Sequence, residues 1–208
     1  MIPTKTQWQQ ALEDRHGKEL QAKISGSTVA ICGLGGLGSN IAISLGRAGI
    51  GKLILIDFDK VDITNLHRQQ YKACQIGMDK TQALQENLLE IAPYLSIETH
   101  TIGLTEGNIT KVLNEADIIC EAVDVAETKG MLVNEILEKM PNKYLVAASG
   151  MAGLGDGNLI KTKKITKKFY VCGDQVSNVN DGIGLVSSRV MICAAHQAHV
   201  VLQILNSK

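Results

Sequence analysis

Thr28-Val-Ala-Ile-Cys32-Gly33-Leu-Gly35-Gly36-Leu-Gly38-Ser39-Asn40 carries an apolar, partly β-branched run into a cluster of glycines. It leaves into Ile41-Ala-Ile-Ser-Leu-Gly-Arg-Ala48, whose apolar residues recur at helical spacing. The stretch reads as strand, tight turn, helix. Gly33, Gly35 and Gly38 keep the spacing of a dinucleotide-binding turn, where glycines let the backbone approach a phosphate and the helix's free N–H groups and dipole attract the anion. A second strand, Lys52-Leu-Ile-Leu-Ile56, delivers Asp57, an acid at a strand's carboxyl end about 20 residues past the glycines and placed to accept ribose hydroxyls. Together these describe a nucleotide site on an α/β fold: a Rossmann-like open, mostly parallel sheet with helices on both faces.

A chain of 208 residues can bury one full core and would be cramped as two domains. A single domain is expected, with an N-terminal helical extension over 1–26, a nucleotide-binding core over 27–160, a crossing segment over 161–186 and a C-terminal helix over 187–208. Twenty-one basic and 21 acidic side chains cancel, so the overall field gives no reason to expect nucleic acid or a membrane surface as partner. No apolar run approaches the roughly 20 residues that cross a bilayer, and the N-terminus lacks a signal-like apolar core, so a soluble, cytoplasmic protein is expected. The five cysteines, at 32, 74, 120, 172 and 193, include no pair at zinc-knuckle or redox spacing. Cys32, Cys120 and Cys193 lie in apolar runs and read as small buried hydrophobes, while Cys74 and Cys172 stay open.

Residues 1–26 are polar and helix-prone, anchored by Trp8, Leu12, Leu20 and Ile24, and should pack on the domain's own surface or on a second copy. Thr64 can cap a short helical turn that puts Asn65 and Arg68 on one face, where an amide and a guanidinium can converge on one anion. The alternative is an arginine paired with Asp59 or Asp62. Asp79 can cap a helix running to Ile91, with Lys80 in its first turn, where a cation opposes the helix dipole. Lys80 then either faces an anion shared with the glycine turn or is solvated. A buried strand within 116–123 ends at Asp124, which can hold Mg2+ on a polyphosphate or cap the helix Ala126–Lys139. After a further strand, Tyr144–Ala148, residues 149–158 are too glycine-rich for regular structure. The lysine run at 161–168 is a solvated strand or loop, or a docking patch. On the long helix 187–205, His196 and His199 fall three apart without a third ligand and read as packing.

Taken together, Gly33-Leu-Gly-Gly-Leu-Gly38, Ile56-Asp-Phe-Asp59, Asn65-Leu-His-Arg-Gln69, Gly77-Met-Asp-Lys80 and Glu121-Ala-Val-Asp124 resemble the ThiF/MoeB/HesA family, bacterial relatives of ubiquitin-activating enzymes. The short ThiF-type adenylyltransferases of thiamine thiazole biosynthesis are especially similar, through Ala147-Ala-Ser-Gly-Met-Ala-Gly153, Phe169-Tyr-Val-Cys-Gly-Asp174 and Ala194-Ala-His-Gln197. The resemblance implies adenylation: the C-terminal glycine carboxylate of a ubiquitin-like sulfur carrier protein attacks the α-phosphate of ATP, releasing pyrophosphate and leaving an acyl-adenylate. It implies a nucleotide site of Gly33, Gly35, Gly36, Gly38, Asp57, Asp59, Thr64, Asn65, Arg68, Lys80 and Asp124. In that site Gly36 lies against the nucleotide, Asp57 binds the ribose, Asn65, Arg68 and Lys80 hold the phosphates, and Asp124 binds Mg2+. It also implies a homodimer in which Arg15 reaches the triphosphate of the second copy, so that Arg15, Arg68, Lys80 and Asp124 form the catalytic set.

That chemistry suits those residues, because a carboxylate attacking a phosphate brings like charges together and cations must neutralise them. No protein nucleophile is required. Many members of the family carry two Cys-x-x-Cys pairs for structural zinc; only Cys172 stands in that region here, so no zinc is expected, and Cys172 is a weak substitute for the reactive cysteine of some relatives. Two other functions stay open: an NAD(P)-dependent oxidoreductase, which the glycine spacing and Asp57 suit equally, and a non-catalytic scaffold that binds a ubiquitin-like carrier. Hydride transfer has no need for Arg68, Lys80 and Asp124 to converge.

Overall fold

The apolar run becomes β1 (Thr28–Cys32), the central strand of a seven-stranded sheet in the computed structural model, which describes residues 2–180 and 182–207. On one side β1 pairs in parallel with β2 (Lys52–Ile56), and β2 with β3 (Ser96–His100). On the other it pairs in parallel with β4 (Ile118–Glu121), followed by β5 (Tyr144–Ala148). β7 (Phe169–Gly173) continues the parallel sheet, and β6 (Lys161–Lys164) closes it antiparallel at the edge. The resulting order is β3-β2-β1-β4-β5-β7-β6. The chain runs outward to β3, then returns to the other side of β1, so a crevice opens at the carboxyl ends of β1 and β4, where such sheets bind ligands. Register sharpens this: Cys32 stands opposite both Ile56 and Glu121, so Gly33, Asp57 and Ala122 leave the sheet at one level.

Strand periodicity divides the core into two layers. Val29 and Ile31 point to the side covered by α3 (Gly36–Arg47), α4 (Lys80–Ile91) and α7 (Ser187–Ser207), whose Ile41, Leu84 and Val201 are buried there. Ala30 and Cys32 point to the other side, covered by α5 (Ile109–Val112) and α6 (Ala126–Lys139) through Ile109, Leu132 and Ile136. A strand buried on both faces needs an unbroken apolar run, which is what β1, β2 and β5 show. Gln197 of α7 reaches across this layer to donate to the carbonyls of Glu121 (3.0 Å) and Val146 (3.1 Å).

The N-terminal extension is two helices, α1 (Lys5–His16) and α2 (Lys18–Ser25). Thr4 caps α1 with a reciprocal bond from Gln7, but the helix has no buried residue. It rests on α2 and near Gly49, at the end of the sheet opposite the crevice, and Tyr94 Oη donates to the Pro3 carbonyl.

Residues 161–173, expected within the crossing segment, instead form β6 and β7 and extend the sheet. β7 buries Cys172 and Gly173 against its neighbours, whereas every residue of β6 is exposed. Lysines on such an edge deter pairing with other chains, which accounts for the charge run as well as a docking patch does. Residues 174–186 join β7 to α7. Among the described residues no helix is long and apolar enough to cross a membrane.

Candidate functional site

The glycine turn is shaped by close approaches. Gly33 has φ +91°, and a Cβ there would come within 2.7 Å of the Ala122 carbonyl oxygen. At Gly36 a Cβ would meet Val190 at 2.9 Å, while at Gly38 it would collide with the Gly33 carbonyl oxygen. Gly35, the residue before α3, meets only the Gln69 amide at 3.8 Å and faces open space. Gly38→Ala tests this geometry: helix propensity alone would favour alanine by about 1 kcal/mol, but overpacking against fixed backbone should reverse the sign. A net loss of about 1–3 kcal/mol in urea unfolding is expected.

Asp57 holds the turn in place. Its Oδ2 accepts the Leu34 N–H at 2.6 Å and its Oδ1 the Asp59 N–H at 2.8 Å, while Tyr71 Oη donates to the Leu34 carbonyl at 2.7 Å. Burial raises the Asp57 pKa against the opposing pull of Lys80 and these N–H groups.

The cations are also pre-positioned. Lys80 opens α4 at only 5% exposure and donates to Asp59 Oδ2 at 2.7 Å, so it is neither solvated nor unpaired. Arg68 Nη2 donates to Asn65 Oδ1 at 2.8 Å, Nη1 lies 2.8 Å from His67 Nε2, and the buried Nε has no hydrogen-bond partner among the described residues. Burial lowers the Arg68 pKa and the neighbouring Asp124 raises it. Asn40 ties this arginine to the turn, donating to the carbonyls of Gly36 (2.6 Å) and Arg68 (3.3 Å). The pairing of Arg68 with Asp59 or Asp62 does not occur: Asp59 takes Lys80, and Asp62 caps the short turn Ile63–Asn65. Thr64 is therefore not the cap. Its N–H and hydroxyl both donate to Asp62 Oδ1. Asp124 is exposed just beyond β4 and does not cap α6, whose N-cap is Val125 without a side-chain bond.

These groups surround one cavity of about 360 Å³ at the switch point. Gly33, Gly35, Gly36, Asp57, Asp59, Asn65, Arg68, Lys80 and Asp124 all line it. Phe58, Ile102, Leu104 and Val125 form an apolar side, and residues 149–152 and 177–179 complete the wall. Gly38 supports the turn from behind, Thr64 lies outside the lining, and Arg15 is exposed on α1 and does not reach the cavity of its own chain.

Two buried groups, one in the wall and one behind it, escaped sequence reasoning. Gln69, 7% exposed and beside the glycine turn, has a buried Oε1 without a partner among the described residues. Glu121 is wholly buried at the end of β4, accepting Lys129 Nζ at 2.6 and 2.5 Å and the Val123 N–H at 2.9 Å. A glutamate ending the apolar run Ile-Ile-Cys-Glu was the available signal, since such a charge is buried only when paired. Cys172 is buried and its thiol is pushed up to about 11 by burial, partly offset by Thr162, which leaves it poorly suited as a nucleophile. Among the described residues no group of three or more His, Cys, Asp or Glu could hold a metal.

Residues 8–208 match the model of the ThiF family. The chain belongs to that family. It is 32% identical over 198 residues to adenylyltransferase and sulfurtransferase MOCS3 of Aedes aegypti, covering 91% of this chain and 44% of the relative. Ubiquitin-like modifier-activating enzyme 5 of Caenorhabditis elegans is 37% identical over 125 residues, covering 54% of this chain and 29% of that protein. The chain thus spans less than half the length of these curated relatives. Among solved structures, E. coli tRNA N6-threonylcarbamoyladenosine dehydratase, TcdA, in complex with ATP superposes with a TM-score of 0.88 at 19% identity, covering 100% of this ThiF-family chain and 98% of TcdA. That likeness establishes the shared fold.

Proposed function

We propose that this ThiF-family chain is an ATP-dependent adenylyltransferase that activates the C-terminal glycine carboxylate of a ubiquitin-like sulfur carrier protein, in thiamine thiazole synthesis and in the cytoplasm. The observation that carries this is the convergence of Arg68, Lys80 and Asp124 on the glycine turn within one cavity, with the Arg68 Nε buried and lacking a partner. ATP suits the donor set. Each Asp57 oxygen accepts one backbone N–H and keeps lone-pair capacity for a ribose hydroxyl, and the N–H groups opening α3 face the phosphates. Mg2+ takes one or two carboxylates plus phosphate oxygens rather than an all-protein cage, which fits Asp124 at the lip of the cavity. When bound it supplies neutralising charge to the pyrophosphate.

In this mechanism Asn65 and Arg68 bind the phosphates, and Lys80 adds charge from the floor while Asp59 holds its ammonium in place. The apolar side excludes water from the acyl-adenylate. The carrier's tail enters between residues 149–152 and 177–179 and brings its carboxylate to the α-phosphate, so the protein contributes orientation and charge and forms no covalent bond. Homodimerisation would use the sparsely packed α1 and bring Arg15 into the cavity of the second copy.

Labelled pyrophosphate, ATP and a set of sulfur carriers ending in glycine provide the test. Carrier-dependent exchange supports adenylation and the active carrier names the pathway; tight NAD binding without exchange supports an oxidoreductase, and carrier binding without AMP formation supports a scaffold. A second expectation concerns β6 and the turn that follows it. If Lys161, Lys163 and Lys167 steer an acidic carrier face, changing all three to glutamine should slow association about tenfold and flatten its salt dependence, as measured by stopped flow. An unchanged rate and salt slope would leave edge protection as their role.

A further inference from the structure

We infer that the ion pair between Arg189 and Asp174 is a positioning clasp that sets the roof under which the carrier's tail reaches the cavity. The inference rests on the adenylation proposed above. Neither side chain lines the cavity, yet together they tie three segments that flank it. Arg189, in the first turn of α7, donates through Nη2 to Asp174 Oδ2 at 2.6 Å and through Nη1 to the carbonyls of Gly155 (2.5 Å) and Asp156 (3.0 Å). The side chains are 5% and 9% exposed. Asp174 uses its other oxygen to gather the N–H groups of Val176 (2.9 Å) and Ser177 (2.8 Å) and the Ser177 hydroxyl (3.1 Å). Ser177 Oγ in turn accepts the Ala152 N–H at 3.1 Å, joining the crossing segment to the glycine-rich loop where both line the cavity.

Backbone geometry is committed to the same arrangement. A Cβ at Gly150 would collide with Asp174 Oδ1, and one at Gly173 with the Ser149 carbonyl oxygen. Among the described residues Gln175 is the one non-glycine held at positive φ (60°), a conformation that surrounding bonds must sustain. A guanidinium suits the task because its rigid fork serves three acceptors at once, which an ammonium cannot do in the same geometry. A buried pair of this kind is weak evidence for stability, since desolvation offsets most of the attraction, but it fixes position. Burial alone would raise the Asp174 carboxyl; the N–H groups of Ser177 and Val176, the Ser177 hydroxyl and Arg189 bring it down to about 2 instead. The acid therefore stays charged, and the clasp closed, until pH falls through that value.

The test compares Arg189→Lys, Asp174→Asn and Ser177→Ala with the wild type in three measurements. ATP affinity without carrier, by equilibrium dialysis, should stay within about twofold for Arg189→Lys and Asp174→Asn, whose side chains lie outside the lining, whereas in all three variants the KM for a purified ubiquitin-like sulfur carrier in pyrophosphate exchange should rise about tenfold or more with kcat less affected. Limited proteolysis within 174–180 should accelerate in all three variants under conditions where the rest of the chain resists cleavage. An unchanged carrier KM, or equal losses in ATP affinity and carrier KM, would overturn the clasp as a positioning device for the tail. Wild-type protein without exchange activity would instead overturn adenylation, and proteolysis would still report whether the pair holds the roof. Ser177→Ala leaves Arg189 and Asp174 paired, so it keeps the comparison informative if the other variants fold poorly.

Discussion

Arg68→Ala is expected to lower carrier-dependent pyrophosphate exchange by about 10²–10³-fold, the loss typical of removing one preorganised donor from a developing charge. The arginine is held before any substrate arrives: Asn65 takes Nη2, His67 lies against Nη1, and Asn40 fixes the backbone carbonyl. What that preparation leaves over is the buried Nε, a donor with no partner among the described residues. Leaving such a group unsatisfied costs about 1–3 kcal/mol, so its retention favours a ligand that satisfies it. Burial lowers the Arg68 pKa, yet a guanidinium stays charged throughout the accessible pH range. Its side-chain bonds run only to neighbours in the same turn, so urea unfolding should change by less than about 1 kcal/mol. Arg68→Lys should recover little, because a single ammonium cannot span the same acceptors. Exchange within about twofold of wild type would remove Arg68 from the phosphate site; a large loss of stability would make the activity result uninterpretable as chemistry and assign Arg68 to the fold.

What could be read in advance follows from the range of the interactions. β1, the glycine turn and α3 were legible because strand period, glycine spacing and helical period all lie within twenty consecutive residues. The bounds of α6 and β5 were legible for the same reason. β6 was legible only as one alternative, a solvated strand rather than a loop, since Lys161-Thr-Lys-Lys164 buries no side chain and is a strand only because its backbone pairs with β7. The candidate site divides the same way. Asp57, Asn65, Arg68, Lys80 and Asp124 sit at element ends, where local rules place polar groups, but their state depends on distant partners. Lys80 is buried because Asp59, twenty-one residues earlier, returns to meet it. Thr64 and Asp62 are both capping residue types two positions apart, and only the backbone shows that Asp62 is the cap. Asp174 with Arg189 and Glu121 with Lys129 are pairings between elements that no periodicity encodes.

Lys129→Met is expected to destabilise the fold by about 3 kcal/mol at neutral pH, the cost of leaving a buried charge without its partner. Glu121 is wholly enclosed, and Lys129 places all three ammonium donors, on both carboxylate oxygens and on the Ala148 carbonyl at 3.0 Å. Burial already raises the Glu121 pKa, with Lys129 pulling it down. Methionine keeps the stem's volume but removes that pull, so the folded-state pKa climbs further above the ordinary glutamate value. An acid raised on folding costs stability wherever the pH exceeds its unfolded value, and the cost fades as pH falls through the raised pKa. The deficit of Lys129→Met should therefore be largest at neutral pH and shrink on acidification. Adding Glu121→Gln should restore most of the loss at neutral pH, because the amide still accepts the Val123 N–H while the unpaired charge is gone. A pH-independent deficit would mean that packing of the lysine stem, not its charge, is what the fold lost. The outcome bears on the site because Val123 and Ala148, both tied to this pair, lead directly into Asp124 and Ser149 on adjoining walls of the cavity. A double variant that regains stability without regaining exchange activity would separate the pair's contribution to the fold from its placement of those walls.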